Sequence, residues 1–334
     1  MNYPWNYPGG PAAFWSAFPF QFDDPELIHL RHAFRNNIVM GGNAFATGAA
    51  VIDPEVLADP AHDNSGLEFT IAPVHKAFAL GEPVVISLSL RTHDRRGKFV
   101  QPYLHPKASM TSIAICKPSG QTVLYEPFID HLMATETRFL GGEDVIEESA
   151  YIGYGKGGLY FDQPGNYRLR AIYHAADGSQ VKSNVVSVRV RYPVTAKQEE
   201  LAELLTGDEQ GALFWLLGSD SESLAAGNAA FDKVLEKHAD EPPADYVRLA
   251  RGVNLSRTFA IIDDRQPNRI QLREPALGEA QSLLSAATGP SSRVDDLSQL
   301  MGLQRLADAQ QQTGDTQAAN ETSTRERNLR SRRR

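Results

Sequence analysis

The side chains able to do chemistry are few and scattered. His29 and His32 stand at an i, i+3 spacing that would place both imidazoles on one face of a helix, where metal ligation is conceivable. No histidine is followed by glutamate, so the zinc-helix pattern His-Glu-x-x-His, with its two ligands and general base, is absent. His93, His105, His131, His174 and His238 are far apart, and spacing alone brings no two of them together. The single cysteine, Cys116, closes no intramolecular disulfide and belongs to no multi-cysteine zinc site. It ends the strand-like run Ile113-Ala114-Ile115, which reads as a buried inert thiol rather than a nucleophile. The acidic pairs Asp263-Asp264 and Asp295-Asp296 fall at ends of helical patterns, where capping and solvation account for them. Gly155-Lys156-Gly157-Gly158 lacks the Gly-Lys-Ser/Thr ending and the following helix of a phosphate loop, so a flexible hairpin is expected there. Tyr151, Tyr154 and Tyr160 beside it can stack on sugar rings if exposed, while core packing explains alternating tyrosines equally well. No catalytic, cofactor-binding or metal-ligating residue is assigned from these patterns.

The elements that carry these residues are clearer. In 159–192, Tyr167, Leu169, Ala171 and Tyr173 alternate with Arg168 and Arg170, and Val186, Val188, Val190 and Tyr192 alternate with Ser187, Arg189 and Arg191. Period-two alternation split by Asp177-Gly178-Ser179 predicts a β-hairpin with one buried face and the arginines on the other. Further strands are expected at 67–72, 83–91, 109–117, 121–126, 149–155 and 159–161, with Pro118-Ser119-Gly120 as a hairpin turn. Many short strands between regular turns read as a β-sandwich over 67–193. Gly165-Asn166-Tyr167-Arg168-Leu169-Arg170-Ala171 resembles the tyrosine-corner region of immunoglobulin-like and fibronectin-like domains. That resemblance makes Tyr167 a structural anchor through a hydroxyl hydrogen bond. It also implies a domain that binds or spaces rather than catalyses.

After Pro193 the pattern turns helical. Thr195 with Gln198 is a capping box and Gly207 a stop. Helices are expected at 209–217, 221–238, 243–262, 275–287 and 294–312. Gly278-Glu279-Ala280 with Leu283-Leu284, followed by 303–309 and Gly314-Asp315, resembles a tetratricopeptide-type hairpin. No clean 34-residue repetition accompanies it, and a generic bundle fits the spacing as well. The expected fold is therefore α+β, an immunoglobulin-like antiparallel sandwich followed by a helical region over 194–312.

Composition sets the remaining bounds. The net charge of −8 argues against general nucleic-acid binding. Charge is uneven, with six arginines and one acid in 325–334. Residues 313–334 read as a disordered basic tail that folding does not need. No apolar run reaches about 18 residues, so no membrane span is expected. The first 22 residues hold 8 of the chain's aromatics, interleaved with Pro4, Pro8, Pro11 and Pro19, and should pack onto something.

Met1-Asn2-Tyr3-Pro4, the aromatic stretch, and then Asp24-Pro25-Glu26-Leu27-Ile28-His29-Leu30-Arg31-His32 are similar to the end of a metzincin-type zinc metallopeptidase catalytic domain. The resemblance matches Met1 to the methionine of the tight turn beneath the zinc, and makes 1–42 a remnant of that domain and 43–66 a linker. It implies that the chain itself holds no cofactor, zinc being present only if an upstream catalytic segment exists, within about 60 codons of Met1. It also implies an extracellular setting if the natural protein is longer and exported, since 1–22 do not read as a signal peptide. The functional expectation is a non-catalytic accessory part of a zinc metallopeptidase-like protein. The alternative is a self-standing adaptor that binds a protein or glycan through sandwich and helices.

Overall fold

The computed structural model describes residues 49–58, 65–128, 137–262 and 270–332. The expectations placed on 1–42, including Met1, His29 and His32, lie outside the described residues, as do His131 and Asp263-Asp264. The protein is α+β, with a sheet-rich unit ending at Thr206 and a helical unit beginning at Gly207.

The strands of the sheet-rich unit, in chain order, are β1 (Leu67–Pro73), β2 (Ala77–Ala79), β3 (Val85–Thr92), β4 (Lys98–Val100), β5 (Thr111–Cys116) and β6 (Thr122–Tyr125). They continue with β7 (Arg138–Leu140), β8 (Val145–Tyr151), β9 (Tyr154–Gly155), β10 (Gly158–Leu159), β11 (Gly165–His174) and β12 (Gln180–Arg191). One sheet has the order β1-β3-β8 and the other β2-β12-β11-β5-β6. All these pairings are antiparallel except β2 with β12. Both sheets contribute to one core. Phe69, Ile71, Ile86, Leu88, Leu90 and Ile146 come from the first, and Ile113, Ile115, Tyr167, Leu169, Tyr173 and Val188 from the second. Alternation does this work: in β3 the apolar set is buried while Ser87, Ser89 and Arg91 face outward or lie at the margin. Asn184 ties the sheets together, donating to the Ile71 carbonyl at 3.0 Å and accepting from the Ile71 amide at 2.9 Å. Its amide group thus stands in for a strand partner of β1.

Three expectations within this unit need correction. Arg170 does not face solvent. It stays on the face opposite Tyr167, Leu169, Ala171 and Tyr173, where the turn at Pro54–Leu57 covers it and leaves it 2% exposed. There Nε donates to the Ser183 carbonyl at 3.0 Å and Nη1 to the Val56 carbonyl at 3.1 Å. The described part of 43–66 is not a bare linker: Val51 bridges Val123, the 3-10 turn Pro54–Leu57 is capped by Asp53, and Leu57 is buried. Tyr192, expected in the core, is exposed because β12 ends at Arg191. Helix α1 (Ala196–Leu205) completes the unit, with Thr195 Oγ1 accepting from Gln198 N and Gln198 Oε1 accepting from Val194 N. Gly81, at φ +82°, lets the chain pass Leu205, whose Cβ would lie 2.9 Å from an added Cβ.

The helical unit contains α2 (Asp208–Leu216), α3 (Ala225–Lys237), α4 (Ala244–Leu255), α5 (Leu277–Ala287), α6 (Asp296–Gln312) and α7 (Thr316–Arg332), with a hairpin of β13 (Phe259–Ile262) and β14 (Ile270–Arg273). The helix expected over 243–262 stops at Leu255, because the β-branched run at its end pairs with β14 instead of extending the helix. Two glycines let three helices close on one another. An added Cβ at Gly252 would meet Leu284 at 2.6 Å, and one at Gly302 would meet Leu249 at 2.9 Å.

Residues 313–334 are not a disordered tail: Thr316–Arg332 form α7. Gly314 takes φ +83° after α6, and Asp315 Oδ1 accepts from Ala318 N at 3.1 Å, so the turn and the cap are both local. Ala319 and Thr322 are buried, and Thr322 Oγ1 donates to Gln310 Oε1 at 2.8 Å. Removing 316–334 is expected to destabilise the helical unit by about 1 kcal/mol or more, since it removes the Thr322–Gln310 hydrogen bond, with a net worth of about 0.5–1.5 kcal/mol, and uncovers the face on which Ala319 is buried. Denaturant midpoints of the full and truncated chains check this. An unchanged midpoint would mean that α7 docks without energetic consequence.

Candidate functional site

Tyr167 is the sequence-assigned structural residue that the structure describes. Its ring is fully buried, with the Phe161 ring centroid at 4.8 Å. Its hydroxyl donates to the Gln163 carbonyl at 2.8 Å, four residues upstream. Burial pushes the phenol up to about 12, against the lowering effect of its hydrogen bond with the Gln163 backbone. The ring anchors the corner where the chain enters β11.

The other residues that could do chemistry occupy separate elements. His93 Nε2 lies 2.9 Å from Glu68 Oε2 on the surface. His105 caps a 3-10 turn, its Nδ1 accepting from Lys107 N at 3.1 Å. His174 Nε2 is 2.9 Å from Ser112 Oγ, and burial lowers its pKa. His238 is buried at the end of α3. Among the described residues no group of three or more His, Cys, Asp or Glu side chains is placed to hold a metal ion. Cys116 is half-buried at the end of β5, and its thiol faces the carbonyls of Lys117 and Gly120. Asp295 caps α6, accepting from Ser298 N at 3.0 Å, as its place at a helix end predicts.

The glycine run is a packing device. β9 and β10 form a two-residue hairpin, and an added Cβ on Gly155 would sit 2.0 Å from the Glu126 carbonyl oxygen. Tyr154 and Tyr160 are core residues. Tyr125 donates its hydroxyl to the Tyr154 carbonyl at 3.0 Å, and Tyr160 Oη accepts from Glu126 N at 3.0 Å. Neither ring is available to stack on a sugar. Glu148, on β8, accepts from the backbone amides of Leu104 and His105 and so pins the 101–105 segment. Burial raises its pKa despite Lys107 nearby.

What this unit does present outward is a short ribbon. β4 and β7 pair so that Phe99 stands directly across from Phe139. Val100 and Leu140 hold the inner side in the core. The two phenylalanines are 69% and 49% exposed, their rings edge to face with centroids 5.4 Å apart. Gly97 permits this: it takes φ +72°, and the Phe139 ring would overlap any Cβ placed there. Arg95, Arg96 and Arg138 are exposed around the pair, and Lys98 reaches Asp177 at 3.7 Å. Sequence reasoning missed this surface because three-residue strands carry no periodic signal. The one cue was the cluster Arg95-Arg96-Gly97-Lys98-Phe99.

No family model matches the chain, and no curated protein matches it. Among solved structures it is similar to the alkylpurine DNA glycosylase AlkC of Pseudomonas fluorescens, at 12% identity over 38% of this chain and 31% of that one, with a TM-score of 0.24. It is similar to a mutant β-glucosidase from Listeria innocua at 15% identity over 40% of this chain and 17% of that one, with a TM-score of 0.23. It is also similar to Spo0M, a sporulation control protein from Bacillus subtilis, at 10% identity over 42% of this chain and 54% of that one, with a TM-score of 0.24. The alignments thus span well under two thirds of each of these structures, and overlaps of this quality carry no functional argument.

Proposed function

We propose that the chain is a non-catalytic binding module, an accessory part of a zinc metallopeptidase-like protein, whose sheet-rich unit is an immunoglobulin-like sandwich. The corner hydrogen bond of Tyr167 and the shared core of two sheets support the sandwich reading. The observation that carries the binding reading is the Phe99–Phe139 pair, exposed at the centre of a short ribbon that follows a glycine turn. An aromatic pair left in solvent forfeits the roughly 1.5–3 kcal/mol that burying each such side chain returns. Aromatics with arginine at their rim are the composition of interface anchors. The partner is a protein surface with an apolar recess and carboxylates around it, matching Arg95, Arg96 and Arg138. A glycan partner is the other outcome. The tetratricopeptide-like reading of α5 and α6 belongs to the same proposal, as a second contact surface.

Cosedimentation with insoluble collagen, elastin, chitin and peptidoglycan tests this, with casein hydrolysis followed in parallel. Retention on a protein matrix, at least tenfold weaker for Phe99→Ser/Phe139→Ser, is expected, without hydrolysis. Retention on polysaccharide alone reassigns the partner. Equal retention of both proteins, no retention at all, or chelator-sensitive hydrolysis overturns the reading.

A further inference from the structure

The ribbon of β4 and β7 ends in two turns that lie side by side. β4 leads out of the turn 94–97 and β7 leads into the turn 141–144. The strands are antiparallel, with Lys98 opposite Leu140, so both turns stand at the same end. Each turn is closed by its own residues. Gly97 N donates to the Asp94 carbonyl at 2.9 Å, and Arg96 N to Asp94 Oδ1 at 2.9 Å. Asp144 N donates to the Gly141 carbonyl at 3.1 Å, and Gly141 N to Asp144 Oδ2 at 2.9 Å. The turns are neighbours: a Cβ added at Gly142 would lie 3.9 Å from the Asp94 carbonyl oxygen.

The two turns carry opposite charge. Arg95 and Arg96 belong to the first and Glu143 and Asp144 to the second, and all four are exposed. Among the described residues no ion pair joins one turn to the other. Next to them Phe99 lies across from Phe139 on the outer face, while Val100 and Leu140 hold the inner side in the core. One surface thus shows a basic turn, an acidic turn and, centred between the strands that bear them, an aromatic pair.

Such a surface is complementary to itself. A twofold axis along the strand direction lays β4 of one copy over β7 of the other. It sets each Phe99 on the second copy's Phe139 and each basic turn against the second copy's acidic turn, so the same contact is made twice. A twofold across the strands would leave the charged turns at opposite ends and pair no charges. We propose that this face joins two copies of the chain in a symmetric dimer about the first of these axes. The inference rests on reading the ribbon as a binding surface and names its partner: the carboxylates that Arg95 and Arg96 meet are Glu143 and Asp144 of a second copy. Four aromatic rings leave water together at its centre, and the ion pairs sit at its rim. The patch is small beside the roughly 800 Å² per partner of a stable interface, so the dimer forms reversibly with concentration.

Sedimentation equilibrium of the full chain, from about 1 to 200 µM, tests this. A monomer–dimer equilibrium is expected, weakened at least about fivefold when sodium chloride rises from about 0.05 to 0.5 M, because exposed ion pairs are screened. Phe99→Ser/Phe139→Ser should dissociate at least about tenfold more readily. Arg95→Glu/Arg96→Glu and Glu143→Arg should each associate more weakly alone, yet form a mixed dimer tighter than either forms with itself. Asp144 is kept because its carboxylate closes its turn. The charge variants alter only exposed side chains and carry the test if the phenylalanine variant misfolds. A chain that stays monomeric throughout, a dimer equally strong in Phe99→Ser/Phe139→Ser, or a mixture no tighter than its components overturns the proposal. Matrix retention, read at dilutions where the chain is monomeric, separates this inference from the binding reading. Phenylalanine-dependent retention of a chain that never dimerises overturns the dimer alone. A phenylalanine-dependent dimer without retention upholds the proposal and removes the matrix partner.

Discussion

Tyr167→Ala is expected to lower the stability of the sheet-rich unit by about 3–5 kcal/mol, and Tyr167→Phe by about 1 kcal/mol. The difference comes from two separable contributions. The ring is fully buried against Phe161 and the inner face of β11, so truncation empties an aromatic site in a core built from both sheets. The hydroxyl makes one short bond, to the Gln163 carbonyl, and phenylalanine removes that bond while keeping the ring. A loss of 3–5 kcal/mol is a large share of the usual domain margin of about 5–15 kcal/mol, so the alanine protein should be visibly prone to unfolding at ambient temperature. Urea midpoints read by far-UV circular dichroism give both values. Equal losses in the two variants would put the whole effect in the hydrogen bond. Unchanged midpoints in both would remove Tyr167 from the core.

Raising the pH above about 10 is expected to unfold the same unit cooperatively. Burial raises the phenol pKa of Tyr151, Tyr160, Tyr167 and Tyr173, and for Tyr167 the folded value reaches about 12. A group whose folded pKa exceeds its unfolded value, about 10 for tyrosine, stabilises the fold fully below the unfolded value. That contribution is lost as pH rises through the folded value, so the window for Tyr167 runs from about 10 to 12. The four phenols sit in one unit, so their losses add as each is forced toward its charged form. Tyr173 also holds Gln101 by hydroxyl bonds to its amide and carbonyl, at 3.1 and 3.0 Å, and ionisation removes the donor half of that pair. Absorbance at the phenolate band and far-UV circular dichroism should change together and steeply. Smooth phenol titration near pH 10 with an unchanged dichroism spectrum would show these rings to be open to water.

Much of the architecture was legible in residue order, because its cause is local. Alternation at Tyr167, Leu169, Ala171 and Tyr173 places those side chains on one face of any extended strand, and the structure buries all four. Thr195 with Gln198, Asp295, and the Pro118-Ser119-Gly120 turn are each satisfied within a few residues and form where expected. The tertiary structure decided the features that depend on distant partners. Arg170 alternates like a surface residue and does lie on the outer face of its strand, but the segment around Val56, 114 positions away, covers it and accepts its hydrogen bond. The arginine-rich end of the chain looks disordered by composition, yet its helix folds back so that Thr322 reaches Gln310 on the preceding helix and a buried contact forms. Phe259–Ile262 abandons the helical pattern because Ile270–Arg273 lies alongside it. The candidate site is of this second kind. Phe99 meets Phe139 only through strand pairing across 40 positions, and Arg257 meets the Gly218 carbonyl only because a glycine there lets α4 come close. Propensity and periodicity act over one or two turns, while charge clusters and exposed pairs are set by which elements pack, which no local pattern encodes.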